Sequence, residues 1–194
     1  MPETLSGLLG WVALFFSSTF FTGFVPGWIH PRLKGKGGGL MGSLVGFGLL
    51  YLLWGEEFCV TVVLLLFWVI LAGPLGVWVV REGERFMLAK WGPRQRHTGE
   101  VVTNDYNQTN WDEVLGMFSA ALMIWPFREQ YYGFWPLLAI LVVFRILDTW
   151  KPWPIDMVED VWKKSNPAFS VNIDDIVAGF ISGLAVAIPL LFFT

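Results

Sequence analysis

Long runs without an ionisable side chain alternate along this chain with short stretches that hold nearly all of its charge. The first run, Leu5 to Ile29, is long enough at about 1.5 Å per residue to cross a hydrocarbon core roughly 30 Å thick. Leu40 to Gly55 is shorter and needs its flanks to reach that length. Phe58 to Val80 is a full span, with a kink expected at Gly73-Pro74. Val114 to Phe127 and Tyr131 to Phe144 are short, either complete spans with polar ends or paired helices that stop part-way. Ile176 to Thr194 is a last span with Pro189 near its end. Residues Arg81 to Asn110 are polar and predict a loop or a short surface helix. The pattern predicts an all-α, polytopic helical membrane protein of about six hydrophobic helices, with residues 1–194 forming a single domain.

The distribution of charge orients that expectation. The loops after the first, third and fifth segments fall on one side of a six-span protein. They hold Arg32, Lys34 and Lys36, then Arg81, Arg85, Lys90, Arg94 and Arg96, then Arg145, Lys151, Lys163 and Lys164. Every Lys and Arg except Arg128 is therefore on that side, which the positive-inside rule assigns to the cytoplasm. The termini are then outside. Met1-Pro2-Glu3-Thr4 has no basic region and no small-residue cleavage site follows, so the first run reads as a retained helix and not a signal peptide.

Composition narrows the function classes. Charged residues make up 15% of the chain, against about 25% in a typical soluble domain. No basic stripe with interleaved aromatics is present, which excludes nucleic acid as a partner. The one cysteine, Cys59, lies in an apolar run and reads as a small buried hydrophobe. The abundant tryptophans fit an interfacial belt. Gly179-xxx-Gly183 and Gly116-xxx-Ala120 are small-residue pairs of the kind used for close packing within a helical bundle.

Three acidic sites sit at predicted segment ends, all on the cytoplasmic side. Asp112-Glu113 opens the fourth segment, with Asp105 seven residues before Asp112. Arg145 and Asp148, three apart and hence on one helix face, precede Lys151-Pro152-Trp153-Pro154, where the prolines end the helix. Asn172-Ile173-Asp174-Asp175 opens the last span. Each site alone reads as well as a helix cap or a local ion pair. Together they are more, because ionisable groups at membrane depth are costly and clustered carboxylates repel unless a cation sits among them. Carboxylates suit Mg²⁺, with Mn²⁺ as the alternative, while His30 and His97 are too few for zinc. Arg145 and Lys151 match phosphate oxygens. The glycine-rich stretch Gly35 to Ser43, including Gly42 and Ser43, offers backbone amides to a phosphate at a helix start. It is no P-loop, since no lysine follows its last glycine.

Asn110-Trp-Asp-Glu-Val-Leu-Gly-Met117, Phe144-Arg-Ile-Leu-Asp-Thr-Trp-Lys-Pro-Trp-Pro-Ile155 and Ile173-Asp-Asp-Ile-Val-Ala-Gly179 resemble the bacterial phosphatidylglycerophosphatase A family, and Met41-Gly-Ser-Leu44 resembles the end of its N-terminal element. The chain departs from that pattern at Leu40, at Gly38-Gly39, in an insertion around His30 to Lys36, and at Asn166 to Val171, where the family has a glycine-rich stretch. The resemblance implies a Mg²⁺-dependent enzyme of the bacterial inner membrane that hydrolyses phosphatidylglycerophosphate to phosphatidylglycerol and phosphate. It implies roles for Asp105, Asp112, Glu113, Arg145, Asp148, Lys151, Pro152, Asp174 and Asp175. The expected assignment makes Asp112, Glu113, Asp174 and Asp175 metal ligands and Asp148 a further ligand or a water-orienting base. Arg145 and Lys151 hold the phosphate, with Asp105 among the catalytic set. The implied partners are a phospholipid substrate and the membrane, with no obligate protein partner. A rival reading is a small transporter or cation channel, but such proteins place ionisable groups near the bilayer midplane on broken helices.

Overall fold

The structure, a computed structural model, describes residues 3–30, 37–53, 74–95, 101–103, 106, 108–127 and 133–192, with some positions between 61 and 70. Arg32, Lys34, Lys36, Cys59, Arg96, His97, Asp105 and Arg128 lie outside the described residues, as do ten of the 23 positions of the expected span Phe58 to Val80, Gly73 of the expected kink among them.

Among the described residues the architecture is all-α apart from one short antiparallel ladder, β1 (Arg94–Gln95) with β2 (Val101–Val102). The helices are α1 (Glu3–Ser17), α2 (Val25–Ile29), α3 (Gly38–Leu53), α4 (Gly76–Trp91), α5 (Trp111–Ile124), α6 (Phe134–Trp150), α7 (Ile155–Lys163) and α8 (Pro167–Leu190). Among the described residues, α8 alone is long and apolar enough to cross a membrane as a single helix. Gly7–Ser17 and Thr22–Ile29 pass the same test only as a pair, bent by 76°.

The expected span over Leu5 to Ile29 is therefore two helices and not one continuous helix. Thr19, Phe20 and Phe21 all have positive φ, at 45°, 59° and 64°, a conformation that costs an L-residue about 1–2 kcal/mol. A distant segment helps hold the break: the Asn110 N–H donates to Ser17 O at 2.9 Å, and the Asn110 side chain donates to Thr22 Oγ1 and to Gly38 O, both at 3.1 Å. A hydropathy pattern registers apolar side chains and is blind to a backbone claimed by another part of the chain. Two further boundaries move. Arg81 to Trp91 is helical, the continuation of α4, where a loop or short surface helix was expected. The last helix begins at Pro167, capped by the Asn166 side chain accepting from Phe169 N–H, well before the expected start at Ile176.

The centre of the fold is the crossing of α5 and α8, flanked by α3 on α5, α6 on α8, and α7 on α8. Small residues make it close. A Cβ on Gly179 would lie 2.1 Å from the Gly116 carbonyl oxygen, and one on Gly183 would lie 2.3 Å from that of Ala120. The two small-residue pairs of the sequence thus meet each other, as packing within the chain. Around the crossing Met117, Phe118, Ile124, Leu137, Ile140 and Phe144 form a fully buried apolar core. A second contact layer joins α1 to α4, where Gly83 faces Ser17.

Candidate active site

The α5–α8 crossing sets the acids against one another. Asp112 and Glu113 occupy the first turn of α5, where their negative charge suits the helix dipole. Asp174 and Asp175 do not open their helix. They lie about two turns inside α8, so capping cannot account for them. Asp112, Asp174 and Asp175 are buried, and the Glu113 side chain is 12% exposed. One carboxylate oxygen each from Asp112, Glu113 and Asp175 lie within 4.8 Å of one another. At an effective dielectric near 20, two unit charges at that separation repel by roughly 3 kcal/mol. Asp112 Oδ1 and Glu113 Oε2 are buried with no hydrogen-bond partner, an expensive state for a carboxylate oxygen. Three converging carboxylates, two of them with an unpartnered buried oxygen, fit a divalent cation such as Mg²⁺.

Basic groups surround this cluster. Arg145 and Asp148 lie one turn apart near the C-terminus of α6 and pair at 2.8 Å. The Arg145 guanidinium also donates to Ser43 Oγ at 3.2 Å and stands 3.9 Å from Glu113. Ser43 is buried and donates in turn to Gly39 O, so it reaches the site only through Arg145. Gly42 packs on the Asn110 backbone and is not among the residues lining the acidic cavity. Gly39 is the glycine that approaches the acids: a Cβ there would lie 2.1 Å from Glu113 Oε1 and 3.2 Å from both terminal nitrogens of Arg145.

Lys151 ends α6 in a left-handed conformation (φ 45°), its N–H donating to Leu147 O at 2.7 Å. Its ammonium pairs with Asp174 and, at 2.8 Å, with Glu159 of α7. Burial acts to lower the Lys151 pKa, but Asp174 and Glu159 outweigh it and hold the group above its ordinary value. Glu159 also accepts from Lys163 at 3.0 Å. Burial acts to raise the Glu159 pKa, and the two lysines overcome it and hold the carboxyl below its usual range.

Of the four expected metal ligands, three converge, while Asp174 is taken up by Lys151 and by the N–H of Asp175. The cavity over the acids, about 120 Å³, is lined by Asp112, Glu113, Asp148, Lys151, Asp174 and Asp175 together with Glu159, Lys163 and Ser170. The last three were not anticipated, nor was the approach of Gly39. The amphipathic stretch Ile155 to Lys163 and the eight-residue spacing of Lys151 and Glu159 were the available signals for α7.

A helical scaffold that joins an acid cluster to a guanidinium and an ammonium has groups suited to a phosphatase. The comparisons with known proteins agree. The family model described as Phosphatidylglycerophosphatase A matches residues 15–190. A phosphatidylglycerophosphatase A of Escherichia coli (strain K12) is 40% identical over 83 residues, 43% of this chain and 44% of that protein. One of Haemophilus influenzae is 28% identical over 164 residues, 84% of this chain and 82% of that protein. No solved structure matches. The molecule is thus of the phosphatase class of enzymes. More particularly, the chain belongs to the phosphatidylglycerophosphatase A family.

Proposed function

We propose that the protein hydrolyses phosphatidylglycerophosphate to phosphatidylglycerol and inorganic phosphate, with Mg²⁺ held by Asp112, Glu113 and Asp175. The observation that carries this reading is the meeting of those three carboxylates beside Arg145 and Lys151. A bound Mg²⁺ supplies positive charge that polarises the phosphate and acidifies a water. The protein's own groups do the rest. Arg145 has five N–H donors in a fixed fork, of which Asp148 and Ser43 engage only part, leaving the others for phosphoryl oxygens. Lys151 has three, two of them committed to Asp174 and Glu159, and the third is available to the phosphate. Asp174 and Glu159 position this ammonium. Asp148 orients the attacking water and takes its proton. The water oxygen bonds to phosphorus as the ester bond to the glycerol oxygen breaks, and that oxygen leaves with a proton from solvent.

The same reading places the protein in the bacterial inner membrane as a multi-pass chain of about six segments with the site facing the cytoplasm. The clustering of Lys and Arg on one side supports it, as do the exposed tryptophans Trp150 and Trp153 beside the acidic site. Single cysteines at Glu56 and Gln95 should then label from opposite sides of the membrane, and labelling from one side would overturn the topology. The activity test is phosphate release from phosphatidylglycerophosphate in mixed micelles, with Mg²⁺ and with chelator. Full turnover in chelator would remove the metal, and no turnover under either condition would remove the reaction.

A further inference from the structure

A shallow, open groove of about 580 Å³ runs along the outside of the bundle beside the acidic site. Its walls are Leu40, at the start of α3, and Leu141, Val142, Ile146 and Trp150, on one face of α6. Leu40, Val142, Ile146 and Trp150 are exposed, so the groove is open at its surface. Arg145 is the charged residue in the wall, and its guanidinium reaches through to Asp148 and Glu113. The barrier between groove and acids is thin, because the residue beside Leu40 is Gly39, where any side chain would collide with Glu113.

We infer that this groove between α3 and α6 seats an acyl chain of an anionic phospholipid substrate, with Arg145 fixing the phosphate where the apolar channel meets the acids. The inference rests on the lipid-phosphate reading above. Charge complementarity selects the occupant. The groove offers an apolar surface with one cation at its inner edge, which fits an amphiphile with an anionic head on a hydrocarbon tail. A neutral lipid would leave unused the guanidinium donors that Asp148 and Ser43 do not engage, and a water-soluble phosphate would leave the groove unfilled. The carboxylates alone do not explain a preference for lipid, whereas the groove supplies apolar contact that only a lipid can use, at about 25 cal/mol per Å² buried.

The test uses a non-hydrolysable dialkyl lipid phosphonate carrying a diazirine on one chain, in vesicles of phosphatidylcholine with the full-length protein. Photolysis should label the peptide containing Leu141, Val142 and Ile146. Excess phosphatidylglycerophosphate should suppress that label at least tenfold, while excess phosphatidylcholine should not. Val142→Trp, which fills the groove, should reduce the label in parallel and raise the KM for phosphatidylglycerophosphate about tenfold, with a smaller change in kcat. Label that is spread over the exposed face of α8, or that phosphatidylcholine displaces equally well, overturns the groove and makes it ordinary lipid-facing surface. Phosphate release by the same wild-type sample reads the reaction separately. Turnover with label elsewhere overturns the groove alone. Competed label in the groove without turnover keeps the lipid site and overturns the hydrolytic reading.

Discussion

Gly179→Ala tests whether the α5–α8 crossing is what assembles the site. The new Cβ would stand 2.1 Å from Gly116 O and 2.9 Å from Ser119 Cβ, whereas ordinary contact begins at 3.4 Å. The obstacle is backbone, which no rotamer change can relieve. The helices must part locally by about 1.3 Å, the difference between 3.4 and 2.1 Å. Overpacking of this kind costs about 1–3 kcal/mol. For a chain of this length that lowers Tm by roughly 2–12 °C. The functional effect should be larger than the effect on stability. Gly179 lies one turn beyond Asp175 on α8, and Gly116 one turn beyond Asp112 on α5. Opening the crossing therefore draws Asp175 away from Asp112 and Glu113 by more than the roughly 0.5 Å that a catalytic constellation tolerates. Phosphate release should fall more than tenfold while the protein stays folded in detergent. Gly48→Ala is the control, since a Cβ there meets nothing within 4 Å, and it should keep both activity and Tm. Wild-type turnover and Tm in Gly179→Ala would refute the crossing as the element that assembles the site.

Other expectations follow from single groups. Arg145→Lys keeps the charge but loses the planar set of donors, of which Nη1 alone pairs with Asp148 and Ser43 and the rest are left for the phosphate, so turnover should drop well over tenfold, with Lys164→Ala near wild type as the comparison. Asp175→Asn should abolish activity and also the rise in Tm that millimolar Mg²⁺ gives the wild type, because a ligand bound only by the folded state stabilises by mass action. A wild-type Tm indifferent to Mg²⁺ and to chelator would count against the metal site. Glu159 has a folded pKa below its ordinary value of 4.5, so its contribution to stability is present above that pH and is lost as pH falls through the folded value. The Tm advantage of wild type over Glu159→Gln should accordingly be constant near neutral pH and shrink below about pH 4.5. An advantage that grows on acidification would reverse the assigned sign.

The amino-acid sequence by itself determined the chemistry and much of the helical content. Residue identity is enough to say that Asp112, Glu113, Asp174 and Asp175 are acids, that Arg145 and Asp148 share a helix face three residues apart, and that Pro152 and Pro154 stop that helix near Lys151. These are local properties, carried by side-chain type and by the 3.6-residue period. Family motifs are likewise strings of neighbouring residues. What the tertiary structure decided was everything that depends on which distant backbones meet. The run Leu5 to Ile29 carries no ionisable side chain, yet it bends at Thr19 to Phe21, where Asn110 claims the backbone at Ser17. Asp174 and Asp175 follow an uncharged stretch that reads as a loop, yet that stretch is the first two turns of α8. Asp174 and Asp175 are adjacent in sequence, but the first turns its carboxylate to Lys151 and the second to Asp112 and Glu113. Glu159 carried a local signal in the amphipathic stretch of α7, but Gly39 joined the site only through helix packing, for which no short-range pattern exists. The donor inventory is a property of the chain, whereas the division of those donors among cation, lysine and arginine depends on distances of a few ångströms set by how closely Gly179 lets α8 approach α5.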